Sequence, residues 1–433
     1  MDTLTLKQRA ADIFQTANSL ADDLAQRGYP EPSFEHGLAP HLHGDAPEST
    51  GRTLKQELFR MVDELRALLT EPTSTLGTDT GAPTLSLLPI VRLGIADKFP
   101  EQGTPVTELA NLVDLRESIV RRLLKHSSTY HVFYEAQPDF YIHTAASRHL
   151  CQNQGMRDWI CVGGNEVLPG TLKIADAIAK YQNSEEPEHC GWSMANNTDE
   201  PVFRALAKEP TRAAKIASTM KWQMQNPGFS PTYLADVFSW EKPGTDNDAA
   251  GLTVIDVGGS IGHISRALAT NPHPLAAKAK FIVQDMPDIV AQGESILPED
   301  LKDRVTFQAH DFFTPQPENV HGADVYLLRS VLHDWSNKYA TKILRNLIPG
   351  LKTGAKILIN ERVVPGFHEA HYLVERHFRE FDMHMLGFQN ALERTKEDWE
   401  GLIRGADERF EVKGLQQQKG SLLAVIEVAW MGS

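Results

Sequence analysis

From residue 252 onward, short β-rich runs alternate with helix-like stretches, and no other feature constrains the fold as much. The runs are LTVIDV, KFIVQD, RVTFQAHD, ADVYLLRS and AKILINERVV. Strands that alternate with helices form a parallel sheet covered by helices on both faces. Two further runs, FEVKGLQ (410–416) and LLAVIEVAW (422–430), are separated by about five residues and are expected to pair as an antiparallel hairpin. The sum is an α/β fold with a seven-stranded sheet.

At ~150 residues per domain, the 433-residue chain has room for more than this sheet. Residues 1–28 read as an amphipathic helix, with Leu4, Ala11, Phe14, Ala17 and Leu20 at helical spacing. Residues 29–52 lack periodicity and read as a linker, in which His36, His41 and His43 belong to a solvated loop rather than a metal site. A helix over 53–69 and a second linker over 71–84 follow. Residues 85–150 suggest three helices, LSLLPIVRLGIADKF, PVTELANLVDL and RESIVRRLLKHSSTY. After them, HVFYEAQPDFYIHT suggests two strands about a Gln137-Pro138-Asp139 turn. That is a winged-helix pattern. Its third helix carries Arg116, Arg121, Arg122 and Lys125, which serve either DNA or ion pairs. Residues 151–245 read as mostly helical and rich in large side chains, including Trp159, Trp192 and Trp222. The expected division is therefore 1–84, 85–150, 151–245 and 246–433.

Composition narrows the function. Lys plus Arg is 43 and Asp plus Glu is 57, a net charge of −14. Such a chain repels phosphate backbones at long range, which argues against a general nucleic-acid binder. Cys151, Cys161 and Cys190 provide neither a disulfide framework nor zinc-ligand spacing. MDTLTLKQRAADIF lacks the apolar core of a secretory signal, and no apolar run is long enough to span a membrane. A cytoplasmic protein is expected.

The chemistry gathers at the ends of the β-rich runs. The first ends in Asp256-Val-Gly258-Gly259-Ser260-Ile-Gly262-His263, where a helix begins. Glycines there let the backbone turn sharply and approach a ligand. The dinucleotide fingerprint needs glycine at 257, where this chain has Val, and the P-loop Lys is absent. The pattern suits a cationic amino-acid ligand better than a pyrophosphate. The second run ends in Asp285, suited to the hydroxyls of a ribose. The third ends in His310-Asp311-Phe312, suited to an adenine amine and ring. Together the acids outline an adenosine pocket.

These segments, with QDMPDIV (284–290), LLRSVLHDW (327–335), LINERVVP (358–365) and LERT (392–395), resemble the plant- and fungal-type small-molecule O-methyltransferases. The resemblance runs from about 85 to 430. It implies a class I methyltransferase fold of Rossmann-like type, S-adenosyl-L-methionine as cofactor, and a homodimer built by the winged-helix domain. It implies that Asp256, Gly258, Gly259 and Gly262 approach the methionine part of the cofactor. Asp285 holds the ribose, Asp311 and Phe312 hold the adenine, and Arg329 lies close by. His333 matches the catalytic base, flanked by Glu361 and Glu393.

The chemistry agrees. A neutral phenol, of pKa about 10, is a poor nucleophile at neutral pH. An imidazole is suited to take its proton, and a carboxylate can fix the imidazole tautomer. No metal is required. The acceptor pocket is expected among helices from 151–245 and 366–392, with Trp222, Met383 and Phe388 as lining residues and His131 in reach. A predicted helix over 371–390 also carries His371, His377 and His384, and Thr395 with Asp398 reads as a helix cap. The competing enzymatic reading keeps the fold and the bound cofactor. In it, His333, Arg329 and His131 polarise a carbonyl for dehydration or pericyclic rearrangement.

Overall fold

The computed structural model describes residues 4–43, 49–71, 83–240 and 251–432. The chain separates into two compact units, Met1–Glu166 with Glu209–Met224, and Val167–Lys208 with Gln225–Ser433. The expected connector over 151–245 is therefore not one body, because its residues are shared between the units. Most of the 71–84 linker and residues 241–250 lie outside the described residues.

In the first unit, helices Leu6–Gln26 and Thr50–Leu69 pack together. Leu20, Leu24 and Leu42 are buried against Leu54 and Leu58, and Arg9 pairs with Glu64 at 3.1 Å. The single helix expected over 85–99 is two, Thr84–Arg92 and Ile95–Lys98. Gly94 breaks it with φ 71, the left-handed conformation that closes a helix and that glycine adopts without strain. Helices Val106–Leu112 and Glu117–Ser128 follow. Strands β2 (Phe133–Gln137) and β3 (Phe140–His143) form the expected hairpin, with Asp139 at φ 61 in its turn. A short strand, β1 (Thr104–Pro105), adds to β3 and was not legible in the sequence. Two of the cations of the third helix serve their own unit. Arg121 pairs with Glu117 and Asp139, and Lys125 with Glu135 at 3.1 Å.

The second unit holds the large sheet. Its strands are β4 (Thr253–Val257), β5 (Lys280–Asp285), β6 (Val305–Ala309), β7 (Ala323–Arg329), β8 (Leu351–Glu361), β9 (Phe410–Gln416) and β10 (Ala424–Trp430). Their order is β6-β5-β4-β7-β8-β10-β9. The first five are parallel, and β10 runs antiparallel to both β8 and β9. Successive residues of a strand face opposite sides. Accordingly Val325 and Leu327 enter one core with Val254 and Phe281, while Tyr326 and Leu328 enter another with Ile255, Trp399 and Trp430. The chain runs outward from β4 to β6, then returns to β7 on the other side of β4. Strand order reverses there, and in open α/β sheets the ligand crevice lies beyond the strand ends at such a switch. Among the described residues, no helix is long and apolar enough to cross a membrane.

Candidate active site

The turn after β4 is shaped by left-handed residues. Gly258 has φ 69 and Gly262, which caps helix His263–Ala269, has φ 76. A Cβ on Gly258 would stand 2.9 Å from Val331 Cγ2, and Phe312 Cε1 lies 3.7 Å from the same point. Gly259 packs on the Asp256 carboxylate. Asp256 is 1% exposed and accepts a hydrogen bond from Ser265 Oγ at 2.6 Å. Burial pushes its pKa up to about 6, against the opposing effects of Ser265 and the Arg329 charge. Asp285 accepts from the backbone N–H of Ser260 and of Met286, each at 2.8 Å, and burial raises its pKa. Asp311 is exposed and accepts from the Phe313 N–H at 2.9 Å, so its carboxylate also shapes its own turn. His263 Nε2 is buried without a partner, and burial lowers this imidazole to about 4, so it is neutral.

Asp256, Gly258, Gly259, Gly262, Asp285 and Phe312 thus share one end of the parallel sheet. A side-chain-free cradle at Gly258, an acid at each of two adjacent strand ends and a ring beside them fit an adenosyl amino acid. Arg329 closes this end differently from a free cation. Its guanidinium donates to Asn360 Oδ1 and to the Phe229 carbonyl. Burial lowers its pKa to about 10, which leaves it charged at neutral pH and facing Asp256 and Glu361.

His333 sits in a 3-10 turn, Leu332–Asp334, after β7. Its Nδ1 is 2.9 Å from Glu393 Oε1, and its Nε2 is 3.6 Å from Asp334 Oδ1. Gln389 Nε2 donates to that Asp334 oxygen at 2.7 Å. Glu361 behaves otherwise than the sequence suggests. Its Oε1 accepts from the backbone N–H of Val331 and Leu332 at 2.8 Å and of His333 at 3.4 Å. It grips the main chain under the histidine rather than the ring. Burial alone would lower the imidazole pKa, but the charges of Asp334, Glu361 and Glu393 outweigh it and raise the value to about 10. Burial raises the pKa of Asp334 and of Glu361 in turn.

Arg394 was not singled out from the sequence. It is 0% exposed and donates to the Leu332 carbonyl at 2.9 Å, the Trp335 carbonyl at 2.8 Å and Asn337 Oδ1 at 3.0 Å. It therefore holds the C=O side of the turn whose N–H side Glu361 holds. Its adjacency to Glu393 in LERT was the available signal. The expected cap at Thr395 is present as a reciprocal capping box with Asp398.

The acceptor-lining candidates fall in both units. Met383 and Phe388 lie on helix Tyr372–Gln389, where Met383 is exposed and Phe388 meets Trp192 edge-on at 6.2 Å. Thr171 bonds His384 at 3.1 Å from the same helix. His131 and Trp222 belong to the first unit. His131 has φ 57 and stacks on Phe34 at 4.1 Å, and Trp222 lies 6.0 Å from Trp159.

The chain is similar to known O-methyltransferases. Residues 247–408 match the family model described as an O-methyltransferase domain. An O-methyltransferase of Alternaria alternata is 34% identical over 420 residues, 94% of this chain and 93% of its own. The grayanic acid biosynthesis cluster O-methyltransferase of Cladonia grayi is 36% identical over 400 residues, 90% of this chain and 82% of its own. Among solved structures, OxaC has a TM-score of 0.74 at 21% identity, covering 98% of this chain and 100% of that one. A pericyclic reaction enzyme has a TM-score of 0.72, also at 21% identity, with the same coverage.

Proposed function

This chain belongs to the O-methyltransferase family, and from that premise we propose that it methylates a phenolic or enolic hydroxyl of a polyketide-like natural product, with His333 as general base. The cofactor is S-adenosyl-L-methionine, which when bound supplies a methyl already activated on a sulfonium. Asp285 would hold its ribose, Asp311 and Phe312 its adenine, and Asp256, Gly258, Gly259 and Gly262 its amino-acid part, with Arg329 close by. The reading of the base is carried by the contact of His333 Nδ1 with Glu393 Oε1 at 2.9 Å. A proton held on Nδ1 by that carboxylate leaves Nε2 as the acceptor for the hydroxyl proton. Glu361 and Arg394 then act as positioning residues, because they fix the turn without touching the ring.

We read the chain as a cytoplasmic homodimer in which residues 85–150 form a winged-helix dimerisation domain. Exposed apolar side chains on the N-terminal helices, Phe14, Phe59 and Leu68 among them, support it. Light scattering should give twice the chain mass.

The decisive test is mass spectrometry of reactions with polyketide, pyridone and phenolic acceptors, run with S-adenosylmethionine or S-adenosylhomocysteine. The proposal expects a product one methyl heavier with the former alone, and its loss in His333→Ala with cofactor affinity retained. Near wild-type methylation in that variant removes His333 from the mechanism. A second reading is favoured by one observation, the gathering of Glu393, Asp334 and Glu361 about His333, whose charges raise the imidazole pKa against burial. A cationic His333 is a donor that polarises a carbonyl for dehydration or rearrangement. That reading expects unchanged or dehydrated mass and equal yield with S-adenosylhomocysteine.

A further inference from the structure

Arg362 is a half-buried cation with no ion pair among the described residues. It follows Glu361 at the end of β8, and Trp399 Nε1 fixes its main chain by donating to its carbonyl at 3.1 Å. Its guanidinium lies 4.4 Å from the Phe381 ring centre and 5.4 Å from that of Phe229. Burial lowers its pKa, while Glu393 and Glu361 oppose that from a distance. Among the described residues, no carboxylate or carbonyl forms an ion pair or hydrogen bond with it. Other inward-facing arginines differ. Arg394 is held by two carbonyls and an asparagine, Arg329 by one carbonyl and an asparagine, and Arg212 by both oxygens of Glu166.

An arginine cannot shed its charge, and a charge drawn partly out of water without a counter-ion costs free energy in proportion to its burial. Two aromatic faces recover only part of that cost. The guanidinium fork matches a carboxylate through two parallel N–H donors. Location gives this a purpose. The Phe381 ring lies parallel to the His333 imidazole, 6.4 Å away with 15° between planes. One aromatic layer therefore relates the base to the cation, and the phenylalanines suit a planar guest.

We propose that Arg362 is a specificity residue that binds the carboxylate of an acidic aromatic acceptor, so that the preferred substrates are hydroxyaryl acids rather than their neutral esters. Its purpose rests on the proposed methyl transfer, whereas its geometry does not.

The test measures binding of orsellinate, its methyl ester and orcinol to the full-length enzyme loaded with S-adenosylhomocysteine, by calorimetry. Wild type should prefer the acid over the ester by about 10- to 100-fold, the range of a charge-assisted pair. Arg362→Met should abolish that preference, and Arg362→Lys should keep part of it. Affinity for S-adenosylhomocysteine, which also reports folding, should be unchanged in both. Equal wild-type affinity for acid and ester, or no binding of either, overturns the proposal. A preference that survives in Arg362→Met does so too. Weakened S-adenosylhomocysteine binding in both variants assigns the cation to the cofactor's own carboxylate and equally overturns it. His333→Ala separates this from the base proposal. It should lose methyl transfer yet retain the acid preference in binding. Methylation that persists there defeats the base assignment and leaves the Arg362 result standing on its own.

Discussion

Replacing Glu393 with Gln perturbs one carboxylate at the imidazole with little change in volume. The Glu393 side chain is 0% exposed, its Oε1 is 2.9 Å from His333 Nδ1, and its Oε2 is buried without a partner. The His333 pKa stands at about 10 because three carboxylates overcome burial. An opposite charge at this range contributes roughly 1–3 pKa units, and Asp334 and Glu361 remain, so the variant should titrate near about 8. At pH 7 the neutral imidazole is then a minor form in the wild type and a less rare one in the variant. Proton availability alone would speed the variant. The tautomer opposes it. If the amide turns its NH2 towards Nδ1, the ring proton moves to Nε2 and the base is blocked. Loss of the equivalent carboxylate in a protease triad costs about ten-thousand-fold. The expected result is a rising limb of kcat/KM shifted down by roughly 1–3 pH units, with a plateau lowered about a hundred- to ten-thousand-fold. Single-turnover transfer of labelled methyl across the pH range reads both. A limb within about 0.3 unit of wild type, at a plateau within about threefold, would refute the reasoning. The raised pKa is also stability. The folded state holds this proton more tightly, so its contribution is complete below about pH 6.5 and is lost as the pH rises through about 10. The variant should flatten that loss.

Three further changes test the supports. Arg394→Met leaves the Leu332 and Trp335 carbonyls unpaired, and should cost roughly 3–5 kcal/mol in chemical denaturation while lowering kcat more than it raises KM. Asp256→Asn removes a carboxylate whose folded pKa, about 6, lies above its unfolded one of 3.8. That charge destabilises the fold increasingly from about pH 4 to pH 6 and fully above it. The variant should therefore gain up to about 3 kcal/mol of stability at pH 7 while binding S-adenosylhomocysteine more weakly, read by melting and calorimetry. Gly258→Ala forces a Cβ into a left-handed position 2.9 Å from Val331, and should weaken cofactor binding at least tenfold in calorimetry.

The large sheet was legible because its strands are short apolar runs with one pattern. Six of the seven β7 residues are buried, and such a run admits few other readings. The hairpin of β9 and β10 was legible from its short connection. The break at Gly94 was not, because the apolar pattern continues across it and a single backbone angle decides. Strand β1 is two residues long and exists only by pairing with β3. In the candidate site, the contact of His333 with Glu393 matched the expectation of a histidine between acids. The main-chain role of Glu361 was not legible, since its three partners are N–H groups that carry no side-chain signature. Arg394 and Arg362 escaped for the same reason. One is defined by carbonyls, with only its adjacency to Glu393 as a local signal, and the other by the lack of an ion pair among the described residues.

The main chain of the turn that carries His333 is gripped through its peptide groups, by Glu361 on the N–H side and Arg394 on the C=O side. Neither grip depends on which side chain stands at 333. The turn is therefore a socket indifferent to its tool. A scaffold built this way can exchange the reactive group by a single codon change and keep its aim, so that one ancestral frame can pass between proton removal and proton donation without rebuilding its foundations.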